Sequence, residues 1–242
     1  MGTSTEHREL KSALSRFRAL TFDCFGTLID WETGILSALR PILAAHNKSI
    51  EDGQLLELYA EFEAQAEQGR YQPYRDVLGY VVHAMGQRLG FTPSLEEEKS
   101  LAASLRNWKP WPDTVTALQQ LKTRFQLAVL SNVDDDLFIP TAHKLQTKFD
   151  HVITAQQAQC YKPCLNLFRL GLSRIGVAPE QVLHVAQSVY HDVEPAKSLG
   201  MATVWVNRPS ARPGVGAVRA SSAKPDWEIP DLATLARAAT DA

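Results

Sequence analysis

The chain is poor in cysteine, in net charge and in long apolar runs. Only 3 of its 242 residues are cysteines, too few for a disulfide framework, so a reducing, cytoplasmic setting is the expectation. The formal net charge of -2 gives no reason to expect nucleic acid or an anionic membrane as partner. No apolar run approaches the roughly 20 residues of a membrane-spanning helix. The stretch Met1–Arg18 is polar, lacks a signal-peptide core, and reads as a short disordered arm. Cys160 and Cys164 have Lys162-Pro163 between them. With no third or fourth ligand nearby, they are not expected to bind metal and read as small core residues.

What is present is a core-forming composition, 45% hydrophobic, at a length suited to one large domain or a domain with an insert. Five short apolar runs read as buried parallel strands: Ala19–Asp23, Gln126–Asn132, His151–Thr154, Val182–Gln187 and Ala202–Asn207. Helical patterns separate them, at Thr114–Thr123, Ile139–Gln146, Leu165–Ile175 and Pro195–Leu199. This alternation predicts an α/β fold, a Rossmann-like doubly wound parallel sheet. Trp31–Arg106 breaks the pattern: it has no convincing strand and carries helical segments such as Leu55–Gln68 and Tyr74–Leu89. The expected division is an arm (1–18), a core (19–30 and 107–242) and a small all-helical insert (31–106). Trp108-Lys109-Pro110-Trp111-Pro112 reads as the hinge, stiffened by its prolines. Pro209–Lys224, rich in Pro, Gly, Ser and Ala, reads as a loop, and Trp227–Leu235 as a closing segment.

Chemistry concentrates at the predicted strand ends, which in an open α/β sheet face the ligand crevice. Asp23 follows the first apolar run, and Gly26-Thr27 then supplies a tight turn and a hydroxyl. A carboxylate so placed is a candidate nucleophile; alone, it could equally be a helix cap. Ser131 and Asn132 end the second run and suit carboxylate binding, though Ser-Asn-Val-Asp-Asp is also good turn chemistry. Asp134, Asp135 and Asp136 read as a solvated helix start rather than a metal cluster. Lys162 stands before Pro163 and could hold a carboxylate ionised by opposite charge. Gln187-Ser188-Val189-Tyr190-His191-Asp192 follows the fourth run, with too few acids for a divalent cation site.

In this order, Asp23-Cys24-Phe25-Gly26-Thr27, Ser131-Asn132, Lys162-Pro163 and the segment ending in Asp192 resemble the four motifs of the haloacid dehalogenase superfamily. The resemblance runs from Ala19 to about Leu235. Phosphatases of that superfamily carry a second Asp two residues after the first, which protonates an alkoxide leaving group. Here Phe25 stands there, so the chain is similar to the 2-haloacid dehalogenase (type II) branch, whose halide leaving group needs no proton. The resemblance implies a cap domain inserted after the first strand, no cofactor or metal, and a small halogenated carboxylic acid as substrate, with the protein a monomer or homodimer. It implies catalytic roles for Asp23, Thr27, Ser131, Lys162 and Asp192. Substrate contacts are expected from Cys24, Phe25, Asn132, Tyr190, His191 and Trp111 and from a cap arginine, with Arg75 preferred over Arg40 and Arg70. Trp31, Tyr71, Trp108 and Trp111 are candidates to wall an apolar pocket, Trp108 more as interdomain packing.

Two departures stand out. Familiar dehalogenases have Tyr six residues after the lysine, where this chain has Phe168. They read Ser-Ser-Asn-Ala-Trp-Asp at the fourth motif, where Tyr190-His191-Asp192 instead looks like a subgroup that includes members acting on fluoroacids. The expected reaction converts (S)-2-haloacids or haloacetates, fluoroacetate among them, to 2-hydroxy acids through an aspartyl ester. The alternative is a magnesium-dependent phosphatase of a small metabolite; a non-catalytic descendant of the fold is a third reading, disfavoured by the retained polar set.

Overall fold

A computed structural model describes residues 4–208, 217 and 221–240. Within them one parallel sheet has the strand order β3-β2-β1-β4-β5-β6. The strands are β1 (Ala19–Phe22), β2 (Gln126–Ser131), β3 (His151–Thr154), β4 (Val182–Ala186), β5 (Ala202–Val206) and β6 (Trp227–Ile229). Every residue of β1 and β4 is buried, which explains why these strands are apolar runs rather than alternating ones. β1 lies between β2 and β4, in register Phe22 with Val129 and Val185. The chain reverses its direction of sheet growth there, so the crevice opens beyond the carboxyl end of β1.

Four helices form the insert that follows β1: α2 (Trp31–Ala45), α3 (Asp52–Ala66), α4 (Tyr74–Leu89) and α5 (Leu95–Ser104). Leu55, Leu56, Tyr59 and Phe62 of α3 and Val77, Leu78, Val81, Val82 and Met85 of α4 are buried, at the helical spacing that packs one face on a neighbour. Local sequence sets the helix ends. Asp30 accepts the Thr33 N–H at the start of α2. Ser94 and Glu97 form a reciprocal capping box on α5. The entry and exit of the insert are stitched together: Asp30 N–H donates to Lys109 O (2.9 Å) and Trp111 N–H to Leu28 O (3.1 Å). Trp108 is buried here, edge-on to Phe25. A Cβ on Gly34 would come within 2.4 Å of the Trp108 ring, so only glycine lets the helix approach.

The remaining helices are α6 (Thr114–Lys122), α7 (Asp135–Leu145), α8 (Ala155–Ala158), α9 (Leu165–Ile175), α10 (Glu194–Ser198) and α11 (Leu232–Thr240), with α1 (Ser4–Ala13) preceding the sheet. α9 packs on β2 and β3, α6 on β2 and α11, and α1 on α11.

Several sequence readings need correction. The first residues are not a disordered arm from residue 4 onward: α1 and a following 3-10 turn bury Leu10 and Leu14, with Phe17 beyond them. The closing segment holds a sixth strand. α7 starts at Asp135, four residues earlier than its apolar periodicity suggested. Cys160 and Cys164 are half-buried and bonded to one another as a disulfide rather than separate core residues, their Cα atoms 6.2 Å apart. Asp134 is buried rather than solvated. Most of the Pro209–Lys224 loop reading lies outside the described residues.

Candidate active site

Asp23 leaves the end of β1 with its N–H on Val185 O. Its carboxylate is held at both oxygens: Lys162 Nζ donates to Oδ1 (2.7 Å) and Thr27 Oγ1 to Oδ2 (2.7 Å). Thr27 Oγ1 in turn accepts Gln187 N–H (2.8 Å). The turn that brings Thr27 back to Asp23 depends on Gly26, at φ +98°. A side chain there would also meet Gln187 Oε1 at 2.9 Å and Trp31 Nε1 at 3.1 Å.

Lys162 reaches Asp23 from the loop between α8 and α9. Asn132 fixes its backbone, accepting Lys162 N–H (2.7 Å) and donating to Lys162 O (3.4 Å). The ammonium has three donors, and the site supplies three acceptors: Asp23 Oδ1, Asp192 Oδ1 (2.7 Å) and Leu130 O (3.1 Å). The two carboxylates and the lysine are buried. Burial penalises all three charges, yet the flanking carboxylates raise the lysine further above its usual range.

The two acids move in opposite directions although they share one cation. At Asp23, burial outweighs Lys162, and the carboxyl is raised, with the Asp192 charge adding to the effect. Burial also opposes ionisation of Asp192, but there Lys162 and a second donor, His184, prevail and hold the carboxyl below its ordinary value. Each acid accepts from Lys162 and one further side chain, so the difference lies in the charges around them: the Asp192 charge raises Asp23, whereas His184 adds a second favourable electrostatic partner beside Asp192.

These groups line a cleft with about 490 Å³ of empty space between the sheet end and the insert. Its walls include Asp23, Phe25, Ser131, Asn132, Lys162, Ser188, His191 and Asp192 from the sheet side, and Trp31, Glu63, Glu67 and Tyr74 from the insert. Ser131 Oγ and Asp192 Oδ2 are buried and accept or donate no protein hydrogen bond. His191 follows Ser188, whose hydroxyl meets both its N–H (3.1 Å) and its Nδ1 (3.0 Å).

The structure does not bring every expected residue to this cleft. Arg75 points away: its guanidinium is taken by Asp134 Oδ2 (3.2 Å) and by Asp136. Arg40 is paired with Asp52 on the surface. No arginine among the described residues lines the cleft; the insert presents Glu63 and Glu67 instead. Glu63 accepts from both Tyr59 and Tyr74 hydroxyls (2.7 Å each), and burial raises its pKa. Trp111 is spent elsewhere, donating to Gly26 O (3.0 Å) with Arg208 over its ring. It lines a different, larger groove of about 1040 Å³ by the hinge. That groove holds none of the lysine-bridged acids, so the smaller cleft is the one equipped for chemistry. Cys24 is fully buried beneath the site, and Tyr190 packs edge-on to His191 without lining the cleft. Phe168 lies behind β4, its ring edge-on to His184 at 5.3 Å.

Besides Glu63, sequence reasoning missed the parts played by Asp134, Tyr161 and His184. Asp134 accepts the first N–H groups of α4, from Tyr74 (2.8 Å) and Arg75 (3.1 Å), and so caps a helix of the insert from the sheet side. Tyr161 OH reinforces this contact by donating to Gln72 O (2.7 Å). His184, fully buried in β4, joins Thr21 Oγ1 (2.8 Å) to Asp192 Oδ1 (3.0 Å). It hid inside an apolar run, and only the fold turns it toward Asp192.

A divalent cation fits this arrangement poorly. The ammonium of Lys162 stands between Asp23 and Asp192, where it would repel such an ion. Among the described residues no group of three or more His, Cys, Asp or Glu could hold one.

A parallel sheet with a helical insert after its first strand carries a lysine-bridged acid pair at its crevice, an α/β architecture with the groups of a hydrolytic site. The chain belongs to the haloacid dehalogenase-like hydrolases, which it matches over residues 17–200. It is 24% identical over 201 residues to haloacetate dehalogenase H-2 of Moraxella sp. (strain B), covering 81% of this chain and 88% of that one. A shorter match, 37% identical over 104 residues, links it to the glyceraldehyde 3-phosphate phosphatase of Methanocaldococcus jannaschii, covering 40% of this chain and 44% of that one. In three dimensions it superposes on the L-2-haloacid dehalogenase of Xanthobacter autotrophicus with a TM-score of 0.78, 22% identity, and coverage of 91% and 97% of the two chains.

Proposed function

We propose that the protein hydrolyses the carbon–halogen bond of small 2-haloacids or haloacetates, with the four-helix insert as the cap of its active site. The observation that carries this reading is Phe25. An apolar ring lines the cleft beside the buried carboxylate of Asp23, where a phosphatase of the resembled family places a proton donor. Departure of halide requires no such donor.

Asp23 attacks C2 from the side opposite the halogen; the C2–oxygen bond forms as the carbon–halogen bond breaks, and halide leaves with the electron pair. Lys162 and Thr27 orient the attacking carboxylate, and burial of Asp23 raises its basicity and nucleophilicity. Ser131 Oγ, buried and without a protein partner, and the Asn132 amide suit the substrate carboxylate. Water then attacks the ester carbonyl rather than C2, which releases the 2-hydroxy acid and restores Asp23.

The rival reading, a magnesium-dependent phosphatase, has the partial match to a phosphatase in its favour. Halide release from chloro-, bromo- and fluoroacetate and both 2-chloropropionate enantiomers, with chelator present, separates the two. Release unaffected by chelator is expected. Phosphate release from an aryl phosphate restored by magnesium, without halide release, would assign the chain to the phosphatases.

Fluoride is strongly hydrated and a poor leaving group, so it needs a close donor as it departs. His191 lines the cleft in the place where familiar dehalogenases have Trp, and fluoroacetate is therefore an expected substrate. His191→Ala should lower fluoride release more than chloride release, followed by ion-selective electrodes. Equal losses for both halides would remove His191 from the halide pocket.

A further inference from the structure

We infer that His184 is a positioning residue for ester hydrolysis, orienting Asp192 so that its Oδ2 receives the proton of the attacking water. The inference rests on the covalent reading above and extends it to a residue to which the motif resemblance assigns no role.

The geometry is a continuous buried chain, Thr21 to His184 to Asp192 to Lys162 to Asp23, with contacts of 2.8, 3.0, 2.7 and 2.7 Å. Asp192 can only accept when ionised, so the histidine Nε2 carries the hydrogen directed at it. In the neutral ring Nδ1 is then an acceptor, and the Thr21 hydroxyl is placed to donate to it. Asp192 thus sets the tautomer, and Thr21 supports it by donating to Nδ1, which fixes the ring that directs Nε2–H at the carboxylate.

Both donors to Asp192, His184 Nε2 and Lys162 Nζ, converge on Oδ1. Oδ2 is left buried without a protein partner, on a residue that lines the cleft. A carboxylate pinned at one oxygen by two donors cannot rotate to exchange its oxygens without breaking both bonds. The free oxygen keeps its identity, and its assigned partner is the water that attacks the Asp23 ester. In that step one water proton moves to Asp192 Oδ2 as the water oxygen bonds to the ester carbonyl carbon. The bond from that carbon to the substrate oxygen then breaks. The departing alkoxide takes the proton back from Oδ2, and the remaining proton leaves to solvent as Asp23 ionises again beside Lys162.

Phe168 packs edge-on against the histidine ring, and β4 lies between β1 and β5. The ring is therefore held from its side as well as at both nitrogens.

The test separates the two chemical steps. Rapid-quench kinetics on wild type, His184→Gln, His184→Phe and Thr21→Val would follow halide release and, by intact-protein mass, the fraction of enzyme held as the Asp23 ester. His184→Phe should keep the rapid first-turnover halide release, accumulate the ester and lose about tenfold or more in its hydrolysis, the size of one lost hydrogen bond to a charged group. His184→Gln, which can still present a donor, should recover part of that rate. Thr21→Val leaves Asp192 untouched and should show the same pattern in weaker form, which keeps the test open if His184→Phe fails to fold. Halide release and ester hydrolysis slowed equally, or no ester accumulation in Thr21→Val and His184→Phe, would overturn the positioning role. A wild-type single turnover in heavy-oxygen water that places no label in Asp23 would instead overturn the covalent reading itself.

Discussion

At the scale of the residue, the site is a balance of charges removed from water. Asp23 is raised by burial, so its ionised form, the nucleophile, is maintained against the preference of the fold. The activity should accordingly fall on the acid side at a pH above the ordinary carboxylate range, read from kcat/KM against pH. The same sign governs stability. A carboxyl raised on folding contributes stability below its unfolded pKa, and that contribution is lost as pH rises through the folded value. Asp23→Asn should therefore abolish halide release without lowering the melting temperature at neutral pH. Asp192 has the opposite sign. Its pKa is lowered, so its contribution is present above the unfolded value near 3.8 and lost as pH falls through the folded one. Asp192→Asn breaks a buried ion pair and should destabilise by about 3–5 kcal/mol, measured by denaturant unfolding at neutral pH.

Site residues were legible where chemistry sits at the end of an apolar strand. Asp23, Ser131, Asn132 and Asp192 each follow or end such a run. Lys162 stood out only through the spacing of its motif. His184 was not legible, since one histidine among Val182, Leu183 and Val185 carries no pattern; its partners Thr21 and Asp192 are joined by the fold alone. Glu63 was hidden for a related reason. It lies one helical turn from Tyr59 on α3 and from Glu67 just beyond its end, a spacing equally suited to a solvated face.

At the scale of the element, the strands were clearest because burial on both faces leaves a continuous apolar signal, and His151–Thr154 matches β3 residue for residue. β6 escaped notice because it has 3 residues, one of them the exposed Glu228 at the sheet edge. α1 was missed although Leu10, Leu14 and Phe17 recur at helical spacing, since polar residues dominate around them. The arginine expectation failed on the same scale. Gln72-Pro73-Tyr74-Arg75 is distinctive because it starts a helix, and Arg75 serves that start by meeting the acid that caps it. Asp134→Ala should destabilise by about 1 kcal/mol, as for loss of a helix cap, and raise KM by loosening Tyr74 at the cleft. A melting curve and substrate titration check both; unchanged KM would mean that the insert keeps its place without this contact.

At the scale of the whole molecule, Asp134 ties the sheet side to the insert by accepting the first N–H groups of α4. α4 has no capping side chain of its own, as Pro73 precedes it. Lifting of the insert would strip the Tyr74 and Arg75 amides of their acceptor and fray the first turn of α4. Amide hydrogen exchange at those two positions therefore reads such opening, and a molecule held in the cleft should slow it.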